Sequence, residues 1–170
     1  LKIERIEPAE VDAEELRRLL PTSQRDPEAM FADVRALLDS ISHPAVKGLI
    51  EAYLGDAAFV SRFTQAPAAI SVHHAYLGGL VEHTLQLLNA ANVILPQYPD
   101  LNRDIVLAGL FLHDSGKVLE FDLQRFEYTR RGNLIGHLMD GVIMLETYAA
   151  KAKLAGSSPL PPDAKLAIQH

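Results

Sequence analysis

The chain contains no cysteine and no tryptophan. Without cysteine there is no disulfide, no thiol nucleophile and no cysteine-ligated zinc or iron–sulfur centre, so any metal has to be held by histidine and carboxylate. The absence fits a reducing, cytoplasmic setting. Aromatic residues make up only 6% of the chain, which leaves Leu, Ala, Ile and Val to build the interior and favours packed helices over a sandwich of strands. Long apolar runs are also missing. No stretch approaches the roughly 20 residues of a membrane span, so no membrane is expected as a partner. The start, Leu1-Lys2-Ile3-Glu4-Arg5, has no apolar segment behind its charges and is no signal peptide. Positive charge is in deficit, with a formal net charge of −6. That argues against a broad basic surface for nucleic acid and leaves room only for a local basic channel. Three familiar catalytic patterns are absent as well: the Gly-rich phosphate loop, the Gly-x-Ser-x-Gly elbow and the His-Glu-x-x-His zinc helix.

What is present is one domain's worth of chain. With 170 residues, 48% of them hydrophobic, it can hide roughly two-thirds of its unfolded surface. Asp26-Pro27-Glu28 carries the signals of a helix start: a capping Asp, a Pro at the first position and an acidic first turn. The apolar residues Met30, Phe31, Val34, Leu37, Leu38 and Ile41 follow at helical spacing. Further helices are expected after His43-Pro44 and after Gly55-Asp56, then over Val72–Asn92, over Leu101–Asp114 with Gly116 as its C-terminal glycine, over Leu134–Ala155, and from about Asp163. Residues 118–130 lose helical periodicity and read as a loop or small hairpin. Leu1, Ile3 and Ile6 alternate with charges as in the last piece of a strand, and the chain lacks an initiator Met. Both features point to a start partway into a longer protein. The fold reads as all-α, with one short β-hairpin and an N-terminal strand remnant.

The seven histidines carry the chemistry. His113-Asp114 closes an apolar helix, and an imidazole beside a carboxylate at a buried helix end is costly unless something uses it. A divalent metal is one use, and an exposed, capped helix end is the other reading of that pair taken alone. His83 and His137 each interrupt an otherwise apolar helical run. A single such histidine is more often a hydrogen-bonded core residue than a ligand. Three apolar helices carrying one each are explained together by a shared polar centre of His83, His113, Asp114 and His137. His73 and His74 are candidates for lining the cleft or for starting a helix. If residues 73–83 are helical, His73 stands about 15 Å from His83 and cannot share its ion. His43 reads as punctuation before Pro44.

These residues also carry a resemblance. Phe63-Thr-Gln-Ala-Pro-Ala-Ala69, His73-His74-Ala-Tyr-Leu-Gly-Gly-Leu-Val-Glu-His-Thr84, Ala108-Gly-Leu-Phe-Leu-His-Asp-Ser-Gly-Lys117 and Gly132-Asn-Leu-Ile-Gly-His137 together resemble the HD-domain metal-dependent phosphohydrolase superfamily, in its YhaM-type 3′→5′ exoribonuclease branch. The resemblance covers most of residues 60–140. It implies an HD-domain helical bundle in which His83 is the first metal ligand and His113 with Asp114 the signature pair, Asp114 bridging two ions. It implies that His137 is the added ligand of two-metal branches and that Lys117 steadies a substrate phosphate. It further implies that residues 1–20 are a remnant and linker from an N-terminal OB-like domain, with residues 21–170 an HD domain truncated before its last ligands. Ser115 stands where an apolar residue is more usual, Ala167-Ile-Gln-His170 looks like the lead-in to a further His-rich stretch, and Asp163 is a poor stand-in for the final Asp.

The expected activity is phosphodiester hydrolysis at the 3′ ends of single-stranded RNA or DNA, by a water activated through two divalent ions. Nitrogen-plus-oxygen ligation suits Mn, Fe or Co better than Mg. Arg125, Arg130 and Arg131, interleaved with Phe121, Phe126 and Tyr128, read either as a strand-tracking segment or as a solvated hairpin, with His73, His74, Arg130 and Arg131 as the candidate substrate contacts. Two other readings stay open: a nucleotidase of the same superfamily acting on small nucleotides, and a non-catalytic metal-holding scaffold. A homo-oligomer is left open too.

Overall fold

The computed structural model describes residue 15, residues 19–70 and residues 74–169. The strand expected at Leu1–Ile6, His73 and His170 lie outside the described residues. The architecture is helical: α1 (Pro27–Asp39), α2 (Pro44–Leu54), α3 (Ala57–Gln65), α4 (Gly79–Ile94), α5 (Arg103–Leu112), α6 (Lys117–Glu120), α7 (Arg130–Leu134), α8 (Gly136–Leu154) and α9 (Pro162–Gln169). Between α6 and α7 a two-residue antiparallel hairpin pairs Phe121 with Tyr128 and Asp122 with Glu127, the strands being β1 (Phe121–Asp122) and β2 (Glu127–Tyr128). The expectation of an all-α fold with one small hairpin therefore holds. Among the described residues no helix is long and apolar enough to cross a membrane.

Local chemistry starts the helices. Asp26 accepts the Glu28 N–H ahead of α1, His43 takes the Val46 N–H ahead of α2, and Asp56 takes those of Ala58 and Phe59 ahead of α3. Each satisfies a donor that the first helical turn leaves without a partner. Five of the eleven aromatics meet in the interior: Tyr53, Phe59, Phe63, Phe111 and Tyr148 form a buried cluster, with Tyr53 stacked on Tyr148 at 3.9 Å and Phe63 at 5.2 Å from Phe111. Phe111 lies two residues before His113, so this cluster is the floor beneath the end of α5. Helix α4 packs on α1 and α5, while α8 packs on α2 and α6.

Two expectations are corrected. Gly116 is not a left-handed helix stop; its φ is −63° and helix resumes at once as α6. Its glycine has a different cause: a Cβ there would stand 2.0 Å from the His137 carbonyl oxygen and 2.7 Å from the Gly141 nitrogen. The absent side chain lets α8 close onto the turn that follows α5. The helix expected from Val72 begins only at Gly79, after Gly78 at φ +80° and His74 at φ +57°. The condition of an unbroken helix over residues 73–83 therefore fails from residue 74 to residue 78, and the chain brings His74 back beside His83.

Candidate metal centre

Three elements converge on one carboxylate. α4 contributes His83 from its second turn, α8 contributes His137 as its second residue, and the end of α5 contributes His113 and Asp114. Neighbours on a helix diverge by ~100°. Here the backbone tightens beyond Leu112, with Ser115 N–H on the Leu112 carbonyl and Lys117 N–H on that of Asp114, and both side chains reach a common point. Asp114 is 7% exposed and forms the floor, while the three imidazoles are about one-third exposed at the rim.

The two oxygens of Asp114 face different partners. Oδ2 lies 3.3 Å from His113 Nε2 and 3.9 Å from His83 Nε2, and accepts a hydrogen bond from Lys117 Nζ at 2.8 Å. Oδ1 lies 3.6 Å from His137 Nε2. One ligand atom each from His83, His113 and Asp114 lie within 4.8 Å of one another, a set that could hold a divalent cation. The outward nitrogens are committed: His113 Nδ1 is 2.8 Å from the Leu110 carbonyl, and His137 Nδ1 is 2.9 Å from Glu120 Oε1. Both acceptors require a proton on Nδ1, so a neutral ring turns its Nε2 lone pair toward Asp114, whereas a protonated His113 donates from Nε2 to Asp114 Oδ2.

Electrostatics agree with that reading. Burial works against ionising Asp114, but hydrogen bonds from His113 and Lys117 outweigh it and hold the carboxyl well below its usual range. Burial pushes the His83 imidazole down, helped by the neighbouring His113, with Asp114 opposing. His113 is raised because its contacts with Asp114 overcome the cost of burial. Near neutral pH the centre thus offers an anionic oxygen and a neutral imidazole, the forms that ligate metals.

The other sequence candidates are distributed unevenly. Lys117 is turned into the protein, with Nζ donating to Asp114 and to the Ala68 carbonyl at 2.6 Å. Arg131 is engaged by the fully buried Asp140, with Nε 2.8 Å from Oδ1 and a second guanidinium nitrogen on the same oxygen. This pair anchors α7 to α8 three residues beyond His137. Arg130 is exposed. The His74 ring centre is 5.6 Å from that of His83. Sequence reasoning missed Glu120, a buried carboxylate that receives both the backbone N–H and Nδ1 of His137. Its only sequence signal is an acidic residue inside the apolar run Val118-Leu119-Glu120-Phe121. A cleft of about 490 Å³ opens beside His113 and Asp114, walled by Leu138, Met139, Val142, Leu145 and Ile168.

Comparison with known proteins follows the same residues. A family model described as "HD domain" matches residues 80–170, a span that includes His83, His113, Asp114 and His137. Among curated relatives, the "3'-5' exoribonuclease YhaM" of Geobacillus sp. (strain WCH70) is 33% identical over 140 residues, 81% of this chain and 43% of that protein. The protein of the same name from Bacillus velezensis is 31% identical over 91% of this chain and 49% of its own length. That of Bacillus subtilis (strain 168) is 39% identical over 55% and 30%. The chain spans less than half the length of these relatives. No solved structure matches it.

Proposed function

The chain belongs to the HD-domain family, in its YhaM-type branch, and on that premise we propose that it carries the hydrolytic centre of a metal-dependent 3′→5′ exonuclease acting on single-stranded RNA or DNA. The observation that carries the reading is the divided carboxylate of Asp114: Oδ2 faces His83 and His113, and Oδ1 faces His137. A carboxylate so placed suits a bridge between two cations, one toward His83 and His113 and a second toward His137. The donor set fits such ions, since imidazole nitrogen and carboxylate oxygen are the ligands of Mn, Fe and Co.

Bound divalent ions would supply Lewis-acid activation of water and neutralise charge at phosphorus. The chain's own residues do the rest. Asp114 stays ionised across the neutral range because His113 and Lys117 outweigh its burial. Glu120 holds His137 in one tautomer and one orientation. Lys117 balances the Oδ2 side of Asp114 and ties it to the chain beyond α3 at Ala68. On the neighbouring hairpin and α7, Tyr128 exposes an aromatic face and Arg125 and Arg130 are exposed cations, the pairing of stacking surface and charge that follows a single strand.

The test is incubation of purified protein with Mn²⁺ and end-labelled single-stranded RNA and DNA, beside a panel of mononucleotides. Stepwise shortening from the 3′ end is expected. Hydrolysis of mononucleotides alone would replace this reading with a nucleotidase. Less than one transition metal per chain, with no gain on adding Mn²⁺, would leave only a scaffold.

A further inference from the structure

Beside the metal centre lies a chain of hydrogen bonds that neither Asp114 nor its histidines use. Ser23 Oγ and Tyr76 Oη both donate to Glu82 Oε2, at 2.7 and 3.0 Å, and His74 Nδ1 lies 2.7 Å from Tyr76 Oη. Glu82 sits one residue before His83 on α4. The Tyr76 proton is spent on a carboxylate, so its oxygen is the acceptor toward His74 and the proton belongs on Nδ1. In the neutral ring Nε2 is then an acceptor, one without a hydrogen-bond partner among the described residues. The rings of His74, His83 and His113 stand in a row, with centres 5.6 and 5.4 Å apart. His74 does not belong to the group whose ligand atoms lie within 4.8 Å of one another; it occupies the next position outward.

The backbone is shaped to put it there. His74 has φ +57°, a conformation that side-chain-bearing residues adopt seldom and at some cost. Its carbonyl accepts N–H groups from Ala68 and Tyr76. It also packs so closely on Gly79 that a Cβ there would stand 2.1 Å from it. Leu77 is clamped in turn by Pro21 and Ser23. Several independent contacts hold one imidazole beside the site.

We propose that His74 contacts the substrate, its Nε2 accepting a hydrogen bond from a sugar hydroxyl of the 3′-terminal nucleotide, with Tyr76, Glu82 and Ser23 as the positioning residues. The inference rests on the nucleic-acid reading above. A phosphodiester oxygen carries no proton to give, whereas the sugar of a 3′ terminus carries hydroxyl donors, and the 2′-hydroxyl also separates RNA from DNA.

The experiment measures binding, not turnover, so that it stands apart from the exonuclease assay. Fluorescence anisotropy, with Mn²⁺, follows oligoribonucleotides ending in a ribo, a 2′-deoxy or a 3′-deoxy nucleotide. Wild-type protein should bind one of the two deoxy ends roughly three- to tenfold more weakly than the ribo end, the range of one neutral hydrogen bond. His74→Asn, which tolerates the left-handed backbone, and Tyr76→Phe should both erase that discrimination and leave metal content unchanged. Nitrogen-15 NMR of the imidazoles should show His74 with its proton on Nδ1, and the preference should weaken in Tyr76→Phe. Equal binding of all three ends by wild type, equal weakening of all three in the variants, a proton on Nε2, or metal loss in His74→Asn would each overturn the proposal. Absence of oligonucleotide hydrolysis with discrimination intact would overturn only the exonuclease reading.

Discussion

Glu120 grips His137 twice: the same carboxylate oxygen, Oε1, receives the His137 backbone N–H at 3.1 Å and its Nδ1 at 2.9 Å. The carboxylate comes from α6 and the histidine from the start of α8, so a single residue fixes both where the helix begins and which way its imidazole points. Partners of this kind are worth 10- to 100-fold in metal affinity. Glu120→Gln keeps an acceptor but loses the charge, and is expected to weaken metal binding about tenfold while the protein stays folded. Metal titration followed by calorimetry reads the first and circular dichroism the second; unchanged affinity would show that His137 is oriented by other means.

Asp114 and Lys117 should separate cleanly. Asp114→Asn keeps the shape of the side chain but removes the charge faced by three imidazoles and an ammonium, and hydrolysis should fall to background with metal uptake lost. Lys117→Ala takes one partner from Asp114 and leaves the histidines in place, so activity should drop by about tenfold or less and metal should still bind. An Asp114→Asn protein as active as wild type would refute the assignment of the site.

Gly116 and Gly109 form a matched pair of substitutions. At Gly116 an added methyl meets the backbone of α8 at 2.0 Å, whereas at Gly109 nothing lies within 4 Å. Gly116→Ala should cost about 1–3 kcal/mol through overpacking and should also weaken metal binding, because the element that must retreat carries His137. Gly109→Ala, in the interior of α5, should be neutral or stabilising by up to about 1 kcal/mol. Urea unfolding of both variants with and without Mn²⁺ provides the comparison.

Asp104 gives the fold an acid-sensitive contact. Its Oδ2 accepts the N–H groups of Ser42 and His43 and the Ser42 hydroxyl, at 2.8–3.0 Å. Burial opposes ionisation, but these bonds prevail and lower its pKa. The folded value lies below the unfolded one of about 3.9. The stabilisation is therefore complete above that pH and is lost as pH falls through the folded value. Asp104→Asn should destabilise the protein by about 1.5–3 kcal/mol at pH 7 and by progressively less below pH 4. A penalty independent of pH would show that the amide fails for packing reasons instead.

Much of this was legible in the chain. Asp26-Pro27, His43-Pro44 and Gly55-Asp56 mark helix starts because capping is settled within a few residues, and the structure uses all three. The grouping of His83, His113, Asp114 and His137 followed from the cost of placing polar groups in apolar helices, and the structure brings them around one carboxylate. Glu120 and Asp104 escaped notice because their partners lie 17 and 61–62 residues away, and no local pattern marks a buried carboxylate that a distant backbone will satisfy. The position of His74 beside His83 is not legible in the chain, because it depends on positive φ at His74 and Gly78 and on a helix that starts only at Gly79.

By itself, then, the sequence determined the helical class, most helix starts, the exclusion of sulfur chemistry and the identity of the residues that meet, since each follows from periodicity, local capping or composition. Only the tertiary structure decided which oxygen of Asp114 faces which imidazole, why Gly116 is glycine, and that Glu120 and Tyr76 control the orientation of His137 and His74. Those are distances between segments far apart in the chain, and they exist only once helices pack, because packing sets how closely two backbones approach and which buried donor finds which acceptor.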